Sequence, residues 1–336
     1  MPSQFLIAAE FSVTSGDPVT TSPDALTWTR QPGTQGGNCE CCAFGAGLYV
    51  VGMHRVSFTE QIQTSPDGVT WTLRNSPADG GSVTTVIYAG GRFVAIADVS
   101  GTFSVMTSGD GITWTGHTIP SASRPWHNMA YSPTLHMYAA VSDAGTSNAV
   151  MTSDDGGVTW TNQTTPVFTG RCIAWGAGIF SALGGDLPSM GGADHVMTSP
   201  DGTTWTIQAN PGTGESFWNA VVFAASQFVA VGVGEGSELA NRAMTSDDGI
   251  SWTIQDLGVS RIWYAITWGA GRYVAVANDE LFDSGTTSVS YSDDGIAWLQ
   301  GATEAFPNFC RGVCSNAAVL VVNYCDGPGQ GSNQAW

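Results

Sequence analysis

An eight-residue phrase recurs along this chain, and its spacing limits the possible folds more than any other feature. A clean copy reads Thr64-Ser-Pro-Asp-Gly-Val-Thr-Trp71, and the others end at Trp28, Trp114, Trp160, Trp205, Trp252 and Trp298. Neighbouring tryptophans stand 43, 43, 46, 45, 47 and 46 residues apart. A repeat in the forties, made of short β-type runs, is one small sheet that cannot bury both faces alone and must stack on its copies. The expectation is all-β: a seven-bladed β-propeller of four-stranded antiparallel blades, with residues 1–336 as a single domain.

The stretch from Phe217 to Gln255 shows the unit. Trp218–Phe223 is an apolar run suited to an inner strand A, and Gln227–Gly232 follows as strand B. Arg242–Thr245 reads as strand C. Ser246–Trp252 turns the chain into strand D, which runs on through Thr253–Gln255. Short β-branched and aromatic runs, punctuated by Gly and Asp, are strand-and-hairpin signals, and no segment carries a helical period. Inner strands near Cys42, Val86, Met129, Ile173, Val221 and Ile266 head six complete blades over about 38–305. The N-terminal repeat lacks an inner strand, and the C-terminal run Phe309–Cys314 lacks a following repeat. Joining them predicts a composite blade, from about 1–33 plus 306–336, that closes the ring and leaves few free edges. Phe5–Glu10 and Ala318–Tyr324 both read as strand B of that blade; only one is needed, and the sequence does not choose.

Charge narrows the function classes. The formal net charge is −18, and all ten basic residues are arginine. Nucleic acid and anionic membranes call for a basic patch, so neither is an expected partner. The N-terminal decapeptide has no basic residue and too short an apolar run for a signal peptide, and no stretch is long enough to span a membrane.

The recurring phrase resembles the Asp-box, or BNR repeat, Ser-x-Asp-x-Gly-x-Thr-Trp. Ser153-Asp-Asp155-Gly-Gly157-Val-Thr159-Trp160 fits it without a gap. Five copies, carrying Asp67, Asp110, Asp201, Asp248 and Asp294, lack one residue before the glycine, and the first, with Asp24, lacks the glycine too. The resemblance implies membership of a group that includes sialidases, sortilin-type receptors and phage and bacterial propellers. It also implies a turn between strands C and D on the face opposite the usual site. Within the turn, Ser and Asp satisfy backbone N–H groups, glycine supplies positive φ and tryptophan packs between sheets, which is a structural role.

Aligned inner strands show where a site belongs. One column reads Glu40, Thr84, His127, Arg171, Asn219, Tyr264 and Cys310, near the channel mouth. The column before it reads Cys39, Val83, Trp126, Gly170, Trp218, Trp263 and Phe309. Its aromatic members, Trp126, Trp218, Trp263 and Phe309, either stack on sugar rings or anchor a protein, or else cap the core between blades. Loops between strands B and C vary and carry Asp186, Glu235, Glu238, Asp279, Glu280 and Asp283, a solvated rim or a place for calcium; no other cofactor or metal is expected. Five of the seven cysteines, Cys39, Cys41, Cys42, Cys310 and Cys314, cluster at the closing seam, and Cys172 and Cys325 complete an odd set. A disulfide from Cys310 to Cys39 or Cys41 would staple the ring, and buried free thiols are the alternative.

A sialidase-like glycoside hydrolase needs an arginine clamp on a carboxylate, for which Arg124, Arg171, Arg261 and Arg311 are candidates, beside Tyr264 and Glu40. It also needs a second carboxyl group that Glu40 does not obviously have, and the family's Phe/Tyr-Arg-Ile-Pro segment is missing. No catalytic residue set is therefore assigned. The lysine-free, single-domain repeat is similar to phage-encoded propellers that decorate virions. That resemblance implies a non-enzymatic recognition or structural propeller on a virion surface, holding protein partners in an assembly and contacting protein or glycan. The alternatives are the hydrolase and an intracellular, cytoplasmic assembly scaffold.

Overall fold

The computed structural model of the chain describes residues 5–9, 19–31, 39–53, 60–77, 81–98, 104–120, 124–185, 196–209, 216–234, 242–278, 287–301 and 310–316. Their strands form four-stranded sheets in which A, B, C and D follow one another as antiparallel neighbours. The expected count of seven blades needs correcting in one respect. Six blades, not seven, are self-contained stretches of chain: 39–75, 82–117, 126–163, 170–208, 216–256 and 262–300. The remaining four-stranded sheet exists only because the two ends of the chain meet. Cys310–Ser315 is its strand A and Phe5–Ala9 its strand B, followed by Val19–Ser22 and Thr29–Arg30. Phe5–Ala9 is thus the strand B that the sequence could not choose, and Ala318–Tyr324 lies outside the described residues. The A strands touch in cyclic order, each self-contained blade against the next, with the composite sheet between the sixth and the first.

The core lies between blades. The A and B strands are buried on both faces, so they read as nearly continuous apolar runs rather than as alternation. Each seam repeats one contact between neighbouring A strands. Ala43 shares a cluster with Val86, Ile87 with Met129, Ala130 with Ile173, Ala174 with Val221, and Val222 with Ile266. Aromatic rings extend the packing outward: Tyr88, Phe93 and Trp114 stack in sequence, with centroids 4.7 and 6.2 Å apart.

Two turn types frame the blade at the end opposite the A-strand starts. Five of the A–B hairpins are two-residue turns with both residues at positive φ, such as Ala46 (47°) with Gly47 (79°) and Ala270 (49°) with Gly271 (81°), and the third blade turns through four residues ending at His136 (52°). That conformation matches the twist of the flanking strands. The C–D turn is the recurring phrase. In the first blade the Ser65 hydroxyl donates to Asp67 Oδ1 at 2.9 Å, and that oxygen accepts the Val69 and Thr70 N–H groups at 2.9 and 2.8 Å. Gly68 N–H donates to Ser65 Oγ at 2.8 Å, and Trp71 Nε1 donates to the Gly68 carbonyl at 3.3 Å. Asp24, Asp110, Asp155, Asp201, Asp248 and Asp294 receive backbone N–H groups in the same manner. In the first copy Ala25 replaces glycine and still adopts φ 64°, with its carbonyl accepting Trp28 Nε1 at 3.2 Å. These aspartates shape turns, and their oxygens are occupied by the chain's own N–H groups.

Candidate functional site

The candidate site follows from a fault in the sheet ladder. In every A strand the pairing with strand B slips by one residue near the start, leaving one extra residue. The slips fall between Cys39 and Cys41, Val83 and Thr85, Trp126 and Asn128, Gly170 and Cys172, Trp218 and Ala220, and Trp263 and Ala265. Glu40, Thr84, His127, Arg171, Asn219 and Tyr264 are therefore β-bulge residues, each re-aimed out of the pleat at one end of the ring. In the composite sheet Ala8 pairs with Gly312 and Ala9 with Cys310, so the bulge is residue 311. The sequence alignment placed Cys310 in this column and Phe309 in the one before it, a slip of one residue. Cys310 belongs with Cys39 and Trp126, and Phe309 lies outside the described residues. The run Cys-Arg-Gly-Val-Cys has one bulky apolar residue and does not pin a register.

A bulge leaves ladder groups to be satisfied elsewhere, and the preceding blade does this. Thr84 Oγ1 donates to the Trp126 carbonyl at 3.2 Å, and Asn219 Nδ2 to the Trp263 carbonyl at 2.9 Å. One position further on, Cys41 Sγ lies 3.3 Å from the Val83 carbonyl and Cys172 Sγ 3.5 Å from that of Trp218. Thr84 and Asn219 thus join blades, a role that column variability alone did not reveal. Glu40 and Tyr264 are buried as well, at 5% and 4% exposure.

The expected aromatic rim lies inside the protein. Trp126, Trp218 and Trp263 are 3%, 1% and 0% exposed and belong to three inter-blade clusters, so no indole face is open to a sugar ring. The physical reason is the bulge: it turns the following residue toward the mouth and leaves the tryptophan in the gap between sheets. The Trp218 and Trp263 indole N–H groups find no partner there.

Charge and aromatic character come together across the A-strand starts of the third, fourth and fifth blades. His127 Nε2 lies 2.8 Å from Asp143 Oδ2, and Asp143 follows strand B of the same blade. The Arg171 guanidinium lies over the Phe217 ring at 5.5 Å. Burial pushes the Asp143 carboxyl up, but the hydrogen bond and charge of His127 and the charge of Arg171 outweigh it and hold the group below the usual carboxylate range. Asp143 keeps 25% of its side chain in solvent, and Arg171 and Phe217 are half-buried. Val167, in the adjoining loop, is 71% exposed. This patch offers an acid, a base, a guanidinium fork and an aromatic ring across three consecutive blades, Phe217 coming from strand A of the fifth.

The arginines form no common clamp among the described residues. Arg124 donates to Thr146 Oγ1 and the Asn148 carbonyl at 2.6 and 2.8 Å, fixing the B–C loop of its own blade. Arg261 donates to Ser288 Oγ at 3.2 Å within the sixth blade, and the Arg311 side chain lies outside the described residues. So do Asp186, Glu235, Glu238, Asp279, Glu280 and Asp283, the loop acids expected as a rim or calcium site. Among the described residues no group of three or more His, Cys, Asp or Glu is placed to hold a metal. Cys39, Cys41, Cys42, Cys172 and Cys314 are buried and are not joined in disulfides, whereas the Cys310 side chain, on which the expected disulfide depends, lies outside the described residues.

Comparison with known proteins agrees on the fold. Residues 22–170, rather less than half of the chain, match the family described as DUF6242 beta propeller domain. No curated protein sequence matches the chain. Among solved structures, "Streptogramin B lyase structure" aligns with a TM-score of 0.62 at 10% identity, over 96% of this chain and 98% of that one. "YCF48 bound to D1 peptide" aligns with a TM-score of 0.57 at 14% identity, over 96% and 89%. "Crystal structure of Nidogen/Laminin Complex" aligns with a TM-score of 0.53 at 12% identity, over 93% and 98%. The chain contains a β-propeller. At these identities the likenesses reach the fold and no further.

Proposed function

We propose that the protein is a recognition module that takes a segment of a protein partner at the A-strand-start end of the ring, over the third, fourth and fifth blades. The observation that carries this reading is the Asp143, His127, Arg171 and Phe217 patch. Once inter-blade capping accounts for Thr84 and Asn219, it is where, among the described residues at this end of the ring, opposite charges and an aromatic ring sit together and partly in solvent; the comparable Arg272, Asp293 and Tyr291 group lies at the other end. A guanidinium stacked on a ring presents its remaining N–H groups to a carboxylate or carbonyl in a fixed plane, and an adjacent acid suits a basic or amide group. Two similar propellers come from structures described as complexes with a protein or a peptide, which suits the same use of this fold.

The test is selection of random peptides against the immobilised full chain, followed by affinity measurement on variants. Arg171→Ala and Asp143→Asn should each weaken the selected peptides at least tenfold, while Ser199→Ala, in a turn at the other end of the fourth blade, leaves affinity unchanged. Peptides that bind both patch variants as tightly as wild type would refute the assignment.

The setting we favour is an assembly at a virion surface, with the Asp-box subtype as the kind of propeller. It rests on the seven repeats and the lysine-free, strongly acidic composition. Catalysis of the sialidase type is the less favoured reading, because Arg124 and Arg261 are each held within their own blades. Release of a fluorogenic sialoside by the wild type, lost in Arg171→Ala, would reverse that preference.

A further inference from the structure

The closing seam differs from the others in one chemical respect. At the seams between self-contained blades, the residue three places beyond the bulge of one A strand packs on the residue two places beyond the bulge of the next, and both are apolar. Counting from the bulge at residue 311 puts Cys314 in the first position, and counting from Glu40 puts Cys42 in the second. Both belong to the cluster that joins the composite sheet to the first blade, and their thiols hydrogen-bond to each other. The repeat geometry therefore brings two sulfurs together where the two ends of the chain are joined.

We infer that Cys42 and Cys314 form a disulfide that locks the ring across its closing seam when the chain folds in an oxidising environment. The oxidant is a small-molecule disulfide of the glutathione type. The Cys42 thiolate attacks one of its sulfurs, forming a mixed disulfide and expelling one thiolate, which takes up a proton. The Cys314 thiolate then attacks the Cys42 sulfur, forming the Cys42–Cys314 bond and expelling the second thiolate. Two protein thiols are oxidised and one oxidant disulfide is reduced to two thiols. Both cysteines are fully buried in the closed ring, and burial pushes the Cys42 thiol up, which starves the closed seam of thiolate. Bond formation therefore belongs to the open seam, just before closure, and once made the bond is shielded from reductant.

The test is to unfold the full chain in denaturant with reductant and refold it in an oxidised and reduced glutathione mixture. Free thiols are then alkylated, and linked peptides are mapped by fragmentation mass spectrometry. A Cys39→Ala, Cys41→Ala variant, in which Cys42 is the remaining thiol of its strand, removes ambiguity in the mapping. A dominant Cys42–Cys314 link is expected, with unfolding in denaturant at least tenfold slower than for the reduced protein. That difference should vanish in Cys314→Ala and persist in Cys310→Ala. Native protein with every thiol alkylated, or a dominant link from Cys310 to Cys39 or Cys41, would overturn the inference. Mapping on wild type decides the matter even if a variant fails to fold.

Discussion

In the recurring turn the conspicuous residue is the aspartate, yet the structure assigns the larger energetic share to the serine. In the fourth blade Ser199 is fully buried, and its Oγ accepts the Gly202 N–H at 2.8 Å in a buried contact. Ser199→Ala removes that acceptor where water cannot replace it, and a buried unpaired N–H costs about 1–3 kcal/mol. Asp201 Oδ1 accepts the Thr203 and Thr204 N–H groups at 2.8 and 2.7 Å, but both contacts are exposed. Asp201→Asn keeps a carbonyl oxygen in place and loses only the charge-assisted increment, about 0.5–1 kcal/mol. The expected order is therefore about 2 kcal/mol for Ser199→Ala against about half that for Asp201→Asn. The assay is urea unfolding of both variants with the slope held at the wild-type value, so that midpoint shifts report stability. Ser65→Ala in the first blade should add to Ser199→Ala within about 0.5 kcal/mol, because the two turns share no partner. An Asp201→Asn cost equal to or above that of Ser199→Ala would refute the reasoning and make charge the organising feature of the turn.

Acid should weaken the fold through the same turns. Hydrogen bonds from backbone N–H groups hold Asp67, Asp110 and Asp294 below their usual range, and Asp155 lies at about 2, with the Thr159 hydroxyl and N–H outweighing burial. Each folded-state value lies below the unfolded one, so the contribution is complete above about pH 4 and fades as pH falls toward 2; urea midpoints between pH 2 and 7 should show that decline, made shallower by Asp155→Asn. Trp218→Ala should cost about 3–5 kcal/mol, as large-to-small core changes do, and lower the thermal midpoint instead of selectively abolishing binding. Ser226 holds φ 66° in an A–B hairpin where four blades place glycine between 79° and 83°. Ser226→Gly should stabilise by about 0.5–1 kcal/mol in a thermal melt, the relief of a left-handed residue less the added entropy of the unfolded chain.

The fold was legible because each repeat writes its own hairpins: Gly47 and Gly271 mark A–B turns, and Ser65, Asp67 and Trp71 mark a C–D turn. Closure by both ends was legible too, since an unpaired Asp24 repeat and an unpaired C-terminal inner strand complement each other. The register of that strand was not. Gly312 breaks the apolar pattern, so Cys310 was placed one step out and the Cys42–Cys314 contact stayed hidden. The site was legible as a column but not as a set of roles. A bulge has no sequence signature here, because Glu40, Thr84 and His127 share neither size nor charge. Without it, Trp126, Trp218 and Trp263 look like a rim rather than a core. Asp143 was missed because it lies at the far end of strand B, and the ladder pairing of Trp126 with Ser142 is what brings it beside His127.

Two of the seams between blades are latched from both sides. Thr84 of the second blade donates to the Trp126 carbonyl of the third, while the Tyr138 hydroxyl of the third donates to the Ala89 carbonyl of the second. Asn219 of the fifth blade and Tyr273 of the sixth make the same exchange with the Trp263 and Ala224 carbonyls. Loosening either blade of such a pair strands groups on the other, so fraying, proteolytic nicking and hydrogen exchange should spread to both neighbours together rather than around the ring one way.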